Sequence, residues 1–507
     1  MKSKRIIISL GKNPLKLQDL LAVSEKRAKV RFDPQAKSRA LKSYRYLQSE
    51  LRKGHAIYGV NTGFGLLSHV RVSDAELGQL QVNLLRSHAV GTGEPIDDRA
   101  TRAMLLLRAN TLAQGFSGVR PLVIEQVLDL LNADVLPVIP EQGSVGASGD
   151  LAPLAHLALV LIGEGRAKYK GKILSGRQAL KRARLKPIVL GPKEGLALIN
   201  GTQFMAALGA LALLDAERIV DLADLAGALS LEAFRGTTTA FSPEIHRVRP
   251  HPGQITSAAR VLKALTTGGN SSIARSHENC GKVQDPYSFR CIPQVHGASR
   301  DVFSFVRGVI EREMNAVTDN PLVFAAEQKI LSGGNFHGQI LAIALDALAI
   351  AVAELASISE ERIAKLVNPA LSDLPAFLTR KSGLNSGFMI IQVAAASLVS
   401  ENKTLCHPAS VDSIPTSADK EDHVSMGAWA ARKAHLVLRN TRRVIAMELL
   451  SGAQGIDLLR PLRTTAPLEA LHRRIREHSA ELKSDRDLSE DLSSLERAIL
   501  NGVLSES

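Results

Sequence analysis

The tripeptide Ala147-Ser148-Gly149 could build an electrophile that no unmodified side chain supplies. If the Gly149 nitrogen attacks the Ala147 carbonyl and two waters leave, the product is a five-membered ring with an exocyclic methylidene derived from Ser148. Such a closure needs an amide with no Cβ beside it, a small residue that lets the backbone fold onto itself, and a β-hydroxyl that can be eliminated. Gly, Ala and Ser meet these needs in that order. The tripeptide alone is common sequence, equally suited to a loop before a helix, so its setting decides.

Other chemistries fail on spacing. Gly146-Ala147-Ser148-Gly149-Asp150 is not a nucleophile elbow, because Asp stands at position 150 where that turn requires Gly. There is no His-Glu-x-x-His helix and the 14 histidines are scattered, so no metal is expected; Glu421-Asp422-His423 would need ligands from elsewhere. The glycine-rich run Tyr58 to Gly65 lacks the Gly-Lys-Ser/Thr ending of a phosphate cradle. Its expected use is a mobile lid bearing a tyrosine.

The setting consists of blocks. They are Tyr58-Gly59-Val60-Asn61-Thr62-Gly63-Phe64-Gly65, Gly143 to His156 around the tripeptide, and Glu194-Gly195-Leu196-Ala197-Leu198-Ile199-Asn200-Gly201-Thr202-Gln203. Further on come Val283-Gln284-Asp285-Pro286-Tyr287-Ser288-Phe289-Arg290-Cys291, Gly333-Gly334-Asn335-Phe336-His337-Gly338 and Glu421-Asp422-His423-Val424-Ser425-Met426-Gly427. In content and order they resemble the aromatic amino acid ammonia-lyases, over about residues 50 to 455, and the pattern is most similar to that of members acting on histidine.

The resemblance implies a mainly α protein, a long-helix bundle of the fumarase/aspartase-like type with a smaller N-terminal part and little β structure. It implies a 4-methylidene-imidazol-5-one formed from Ala147, Ser148 and Gly149 with no external cofactor, and a homotetramer whose active sites draw on three chains. The substrate amine would add to the Ser148-derived methylidene, a base would remove a β-proton, and the amine would leave to give a trans-unsaturated acid, urocanate if the substrate is L-histidine. Tyr58 would be the base, on its closing glycine loop. Tyr287 would be a second phenol near the electrophile and Gln284 a hydrogen-bonding partner, although either could be a turn residue beside Pro286. Arg290 would clamp the substrate carboxylate with its planar fork, or else close a salt bridge at a helix end. Asn200 can hydrogen-bond both the ring carbonyl and the substrate. Phe336 would cover the aromatic pocket.

Two residues would decide the substrate. His88 falls where the family meets the ring of the amino acid, and a histidine there suits a polar ring. Glu421 stands where relatives acting on phenylalanine or tyrosine commonly carry glutamine, and a carboxylate can accept a hydrogen bond from imidazole. One departure is Asp419-Lys420, which replaces the Asn-Gln pair usual before that glutamate and changes the local charge. A tyrosine ammonia-lyase or aminomutase therefore remains the rival within the family; an idle or nucleic-acid-binding relative is the rival outside it.

Composition agrees with a large soluble globular chain: 507 residues, 45% apolar and 22% charged, with only 4% aromatic, so aliphatic side chains fill the core. Net charge +13 raises nucleic acid as a partner, yet the densest basic stretch, Arg166 to Lys186, contains one aromatic, Tyr169, and no recognition motif; neither nucleic acid nor membrane is expected as a partner. Three cysteines, Cys280, Cys291 and Cys406, make no C-x-x-C spacing and suggest reduced thiols in a cytoplasmic protein. The apolar run Ile6 to Leu10 is too brief for a signal-peptide core. Ile340 to Ile358 is apolar, but Asp346 and Glu354 interrupt it, as suits a buried helix at the centre of an oligomer.

Helical periodicity must position these groups. It predicts an amphipathic helix through Ala40, Leu41, Tyr44, Leu47 and Leu51, and helices over Leu105 to Leu112 and Leu122 to Leu131, the latter started by Pro121. Asp150 should N-cap a helix running to Gly163, its positive end aimed at the electrophile. Ala167 to Leu174 should be a hairpin bent at Lys170-Gly171. Long helices are expected at Phe204 to Leu229, Asp301 to Met314, Gln339 to Val367, Phe388 to Glu401 and Ser425 to Gly452. The natural division is an N-terminal part, 1–200, carrying the Tyr58 loop and the tripeptide, and a helical part, 201–507.

Overall fold

The Pro34–Arg52 helix shows how local sequence sets the frame. Asp33 accepts from the Gln35 and Ala36 amides and Pro34 occupies the first turn, where its missing N–H is no loss. Ala36, Ala40, Ser43 and Leu47 form its buried face, and Leu47 packs with Ile57, Val60 and Val323 beneath the Tyr58 loop. This computed structural model describes residues 6–278 and 283–504, so Cys280 lies outside the described residues.

Helix makes up 60% of the described residues and strand 8%, and the fold is mainly α. Pro121–Ala133 is a helix that starts at its proline and stops where Asp134 turns left-handed. The hairpin pairs Arg166–Tyr169 with Lys172–Ser175 around Lys170 and Gly171, in the register Ala167 to Leu174, and Leu136–Pro137 adds a third strand. The remaining strands are short pairs: Ile6–Leu10 parallel to Ala28–Phe32, Thr92–Pro95 antiparallel to Pro140–Gln142, and Leu322–Phe324 antiparallel to Lys329–Leu331.

The long helices span Gln203–Phe234, Ile292–Glu313, Gln339–Val367, Met389–Leu405 and Gly427–Leu458. The second begins well before the expected Asp301 and runs through Pro293 and Gly297. Pro293 falls in the first turn, and Gly297 is a close approach: a Cβ there would lie 2.4 Å from the Gln254 backbone. Gln339–Val367 is long and apolar enough to cross a membrane, but 61% of its most apolar stretch is buried, and its Asp346 accepts the Ser410 amide at 2.8 Å.

The chain divides into two compact units. The first comprises Met1–Leu211, Arg307–Asp346 and Pro408–Arg432. At its heart the Asp98–Ala113 helix is buried from Ala100 to Ala113 on every face, polar residues included. The second comprises Ala212–Val306, Ala347–His407 and Lys433–Ser507 and is built from stretches of the long helices around a buried Arg362–Glu448 pair.

Candidate active site

The Gly143–Asp150 turn is held from both sides, by the Gly201 main chain and by Ser425. Gly149 lies at φ +73 against Gly201, where a Cβ would meet the Gly201 carbonyl oxygen at 2.2 Å, so only glycine allows this approach. The Asp150 amide donates to that carbonyl at 2.7 Å, and the Ser425 hydroxyl donates to the Gly146 carbonyl at 2.9 Å.

Asp150 departs from expectation. Its backbone stands at the N-cap of Leu151–Leu161, but its side chain makes no cap bond there. Instead the carboxylate accepts from the Phe204 and Met205 amides at 3.0 Å each and from the Ser144 hydroxyl at 3.1 Å. It thus caps the Gln203–Phe234 helix, whose buried first N–H groups have no water to turn to. Complete burial outweighs these donors and pushes its pKa up to about 7.

Asn200 ends the Glu194–Ile199 helix, and its Nδ2 donates to the Ser148 carbonyl at 3.0 Å. Its Oδ1 is buried without a hydrogen-bond partner among the described residues. Behind it, Arg108 Nη1 donates to the Asn200 carbonyl at 2.8 Å and to Gln203 Oε1 at 2.9 Å, while Gln203 Nε2 reaches Thr111 and Thr318. Burial pulls the Arg108 pKa down to about 10 against the opposing charge of Asp319, which itself pairs with the buried Lys193 at 2.7 Å. Arg108 and Lys193 lie outside the blocks that carry the resemblance. A signal was present for the first: a guanidinium directly after the apolar run Ala103 to Leu107 needs a buried partner.

Tyr58, His88, Ser148, Asn200, Phe336 and Glu421 line one cavity of about 960 Å³ within the first unit. The Tyr58 hydroxyl accepts the Gly65 amide at 3.2 Å, closing its own glycine loop. His88 ends the Leu77–His88 helix. Its Nδ1 lies 2.9 Å from the Leu84 carbonyl, which can only accept, so the hydrogen is assigned there and Nε2 is left as acceptor. Burial lowers the His88 pKa despite that carbonyl and the charge of Glu421, favouring the neutral ring. Glu421 Oε1 accepts the Ser148 hydroxyl at 2.7 Å, which joins two residues 273 positions apart. Asn83, Ser87, Asn320 and Ser417 also line the cavity and were not singled out from sequence. Asp419 and Lys420 are exposed and do not line it.

Gln284, Tyr287 and Arg290 belong to the second unit and are not among the residues lining this cavity. Tyr287 is 70% exposed, and the Arg290 guanidinium stacks on its ring at 4.5 Å. Gln284 is exposed on a small polar pocket shared with Thr237 and His277.

The description aromatic amino acid lyase fits residues 15–477 of the chain. The chain is 54% identical over 497 residues to a histidine ammonia-lyase of Anaeromyxobacter dehalogenans (strain 2CP-C), covering 97% of this chain and 98% of that relative. Among solved structures it is similar to histidine ammonia-lyase from Trypanosoma cruzi, with 46% identity, a TM-score of 0.90 and 98% and 94% of the two chains covered. It is also similar to tyrosine aminomutase from Streptomyces globisporus, with 36% identity, a TM-score of 0.93 and 98% of each chain covered. With the tripeptide, the glycine loop and the amide of Asn200 gathered on one cavity, the chain belongs to the aromatic amino acid lyase family.

Proposed function

We propose that this chain deaminates L-histidine to trans-urocanate and ammonia. The observation that carries the reading is the single cavity in which a carboxylate, Glu421, meets the tripeptide serine at 2.7 Å beside a histidine disposed to be neutral. A carboxylate accepts from an imidazole N–H and stabilises its charged form. Relatives that carry the name histidine ammonia-lyase support this substrate over tyrosine.

The residues present fit a 4-methylidene-imidazol-5-one at 147–149. Gly149 is packed where a Cβ is forbidden, Ala147 is buried, and Asn200 already donates to the Ser148 carbonyl. When formed, that group supplies an electrophile for the substrate amine, which no side chain here provides. Asn200 would orient it through Nδ2, leaving the partnerless Oδ1 to accept from the substrate. Tyr58 would take the β-proton at its phenolic oxygen, and the loop it closes with Gly65 would exclude water. Phe336 would cover the ring, and His88 Nε2 would accept from a polar ring nitrogen.

A homotetramer completes the reading. Tyr287, Gln284 and Arg290 would be supplied to the cavity by a neighbouring copy, Arg290 clamping the carboxylate. Tyr287 is presented outward, and exposed Ile340, Ile343 and Ile350 on Gln339–Val367 with Ile390 and Val393 on Met389–Leu405 offer apolar surface for such contacts. The enzyme would act in the cytoplasm on a small molecule, with no external cofactor.

The test is purified protein incubated with L-histidine while ultraviolet absorbance follows the conjugated acid. Turnover is expected with L-histidine and not L-tyrosine. Ser148→Ala should abolish it, and the intact mass of the parent should lie two waters below the sequence value. Tyrosine turnover without histidine turnover overturns the substrate.

A further inference from the structure

We propose that Thr416 and Ser417 are positioning residues for substrate choice: their hydroxyls fix one oxygen of Glu421 and so dictate where the other lies in the cavity. The inference rests on the histidine reading above. Thr416 Oγ1 and Ser417 Oγ each donate to Glu421 Oε2 at 2.8 Å, whereas Oε1 takes the Ser148 hydroxyl at 2.7 Å. An ionised carboxylate only accepts, and its terminal torsion is broad. Two donors on the same oxygen remove that freedom. Once the Ser148 hydroxyl is lost on condensation, Oε1 is left to meet an incoming ring from one direction.

The main chain is built to hold this arrangement. Thr416 and Glu421 exchange amide bonds, Thr416 N to Glu421 O at 3.0 Å and Glu421 N to Thr416 O at 3.3 Å. Between them Ser417, Ala418 and Asp419 lie at φ 51, 51 and 61, and none is glycine. Left-handed backbone costs an ordinary residue about 1–2 kcal/mol. A loop whose only task was to reverse the chain would relieve that strain with glycine or asparagine; here the conformation brings the residue 417 hydroxyl onto a carboxylate in the next turn of sequence. Asp419 and Lys420 are exposed, and the bonds that fix Oε2 come from Thr416 and Ser417 instead.

A fixed oxygen suits a short ring with a ring N–H donor and does not swing aside for a longer phenol. The test separates binding from turnover by using Ser148→Ala, which cannot condense, as parent for calorimetric titration with L-histidine and L-tyrosine. Thr416→Val and Ser417→Ala should each weaken L-histidine binding about 3–10-fold, the scale of one hydrogen bond, and tyrosine binding by less than about twofold. Thr416→Ser should restore the parent value. In the processed enzyme the same changes should raise KM for L-histidine more than they lower kcat. Unchanged histidine affinity in the double variant overturns the clamp. So does equal loss of both ligands with a lowered unfolding midpoint, the mark of a merely structural loop. A parent that binds no L-histidine overturns the substrate reading, and the clamp with it.

Discussion

Two buried charge clusters, one in each unit, are built to opposite plans. In the second unit Glu448 accepts from Arg362 Nε and Nη2, Ser230 and Ser359 at 2.5–2.9 Å, and Arg362 Nη1 reaches the Ser288 carbonyl at 3.3 Å. Both oxygens are filled and every guanidinium nitrogen has a task. In the first unit Arg108 serves two acceptors with Nη1 alone, and its Nε and Nη2 are buried with no hydrogen-bond partner among the described residues. A satisfied network holds helices together, whereas an under-satisfied charge is kept only where something else needs it. Here it sits behind Asn200, whose side chain holds the Ser148 carbonyl.

The contrast can be broken by substitution. Glu448→Ala leaves Arg362 buried and uncompensated, and urea unfolding should show a loss of about 3–5 kcal/mol with the histidine-to-tyrosine preference unchanged. A shifted preference would show that the second cluster also serves the site.

Asp150→Asn tests a second buried charge of the first unit, through pH. The Asp150 pKa is raised to about 7 in the folded chain, so below about pH 4 both states are protonated and the carboxyl costs nothing. As pH rises to about 7 the unfolded chain ionises first and the native state loses stability. The asparagine variant escapes that loss, so its stability relative to the parent should grow over this window by up to about 4 kcal/mol. A flat difference across the window would mean that its donors, not its burial, dominate.

Arg108→Lys should have the smallest effect, lowering kcat about tenfold, or about 1.4 kcal/mol of barrier, with KM little changed, because the shorter lysine stops short of the place from which Nη1 reaches both Asn200 and Gln203. If unfolding free energy falls and kcat does not, Arg108 is a structural cation like Arg362.

Much of the fold could be read from sequence because helices are local. Apolar periodicity and proline marked Pro121–Ala133, Gln339–Val367 and the Lys170-Gly171 hairpin almost to the residue. The Ile292–Glu313 helix starts before its expected Asp301 because its first turns pack on a distant segment, with Gly297 against the Gln254 backbone, a contact that local periodicity does not carry. Tyr58, His88, Ser148, Asn200, Phe336 and Glu421 were singled out through their blocks, and they share a cavity. Arg108, Lys193, Thr416 and Ser417 went unremarked because their partners are contacts that no pattern of residue types announces.

The sequence by itself determined which residues can condense, where helices begin, and which blocks carry the chemistry, since these depend on backbone conformation and residue type along a short stretch of chain. Only the tertiary structure decided that Asp150 caps a helix other than its own, that Glu421 reaches Ser148 across 273 positions, and that Arg108 stands behind Asn200. Those outcomes depend on which buried donors and acceptors are left without water once distant segments pack, and that pairing exists only in the folded chain.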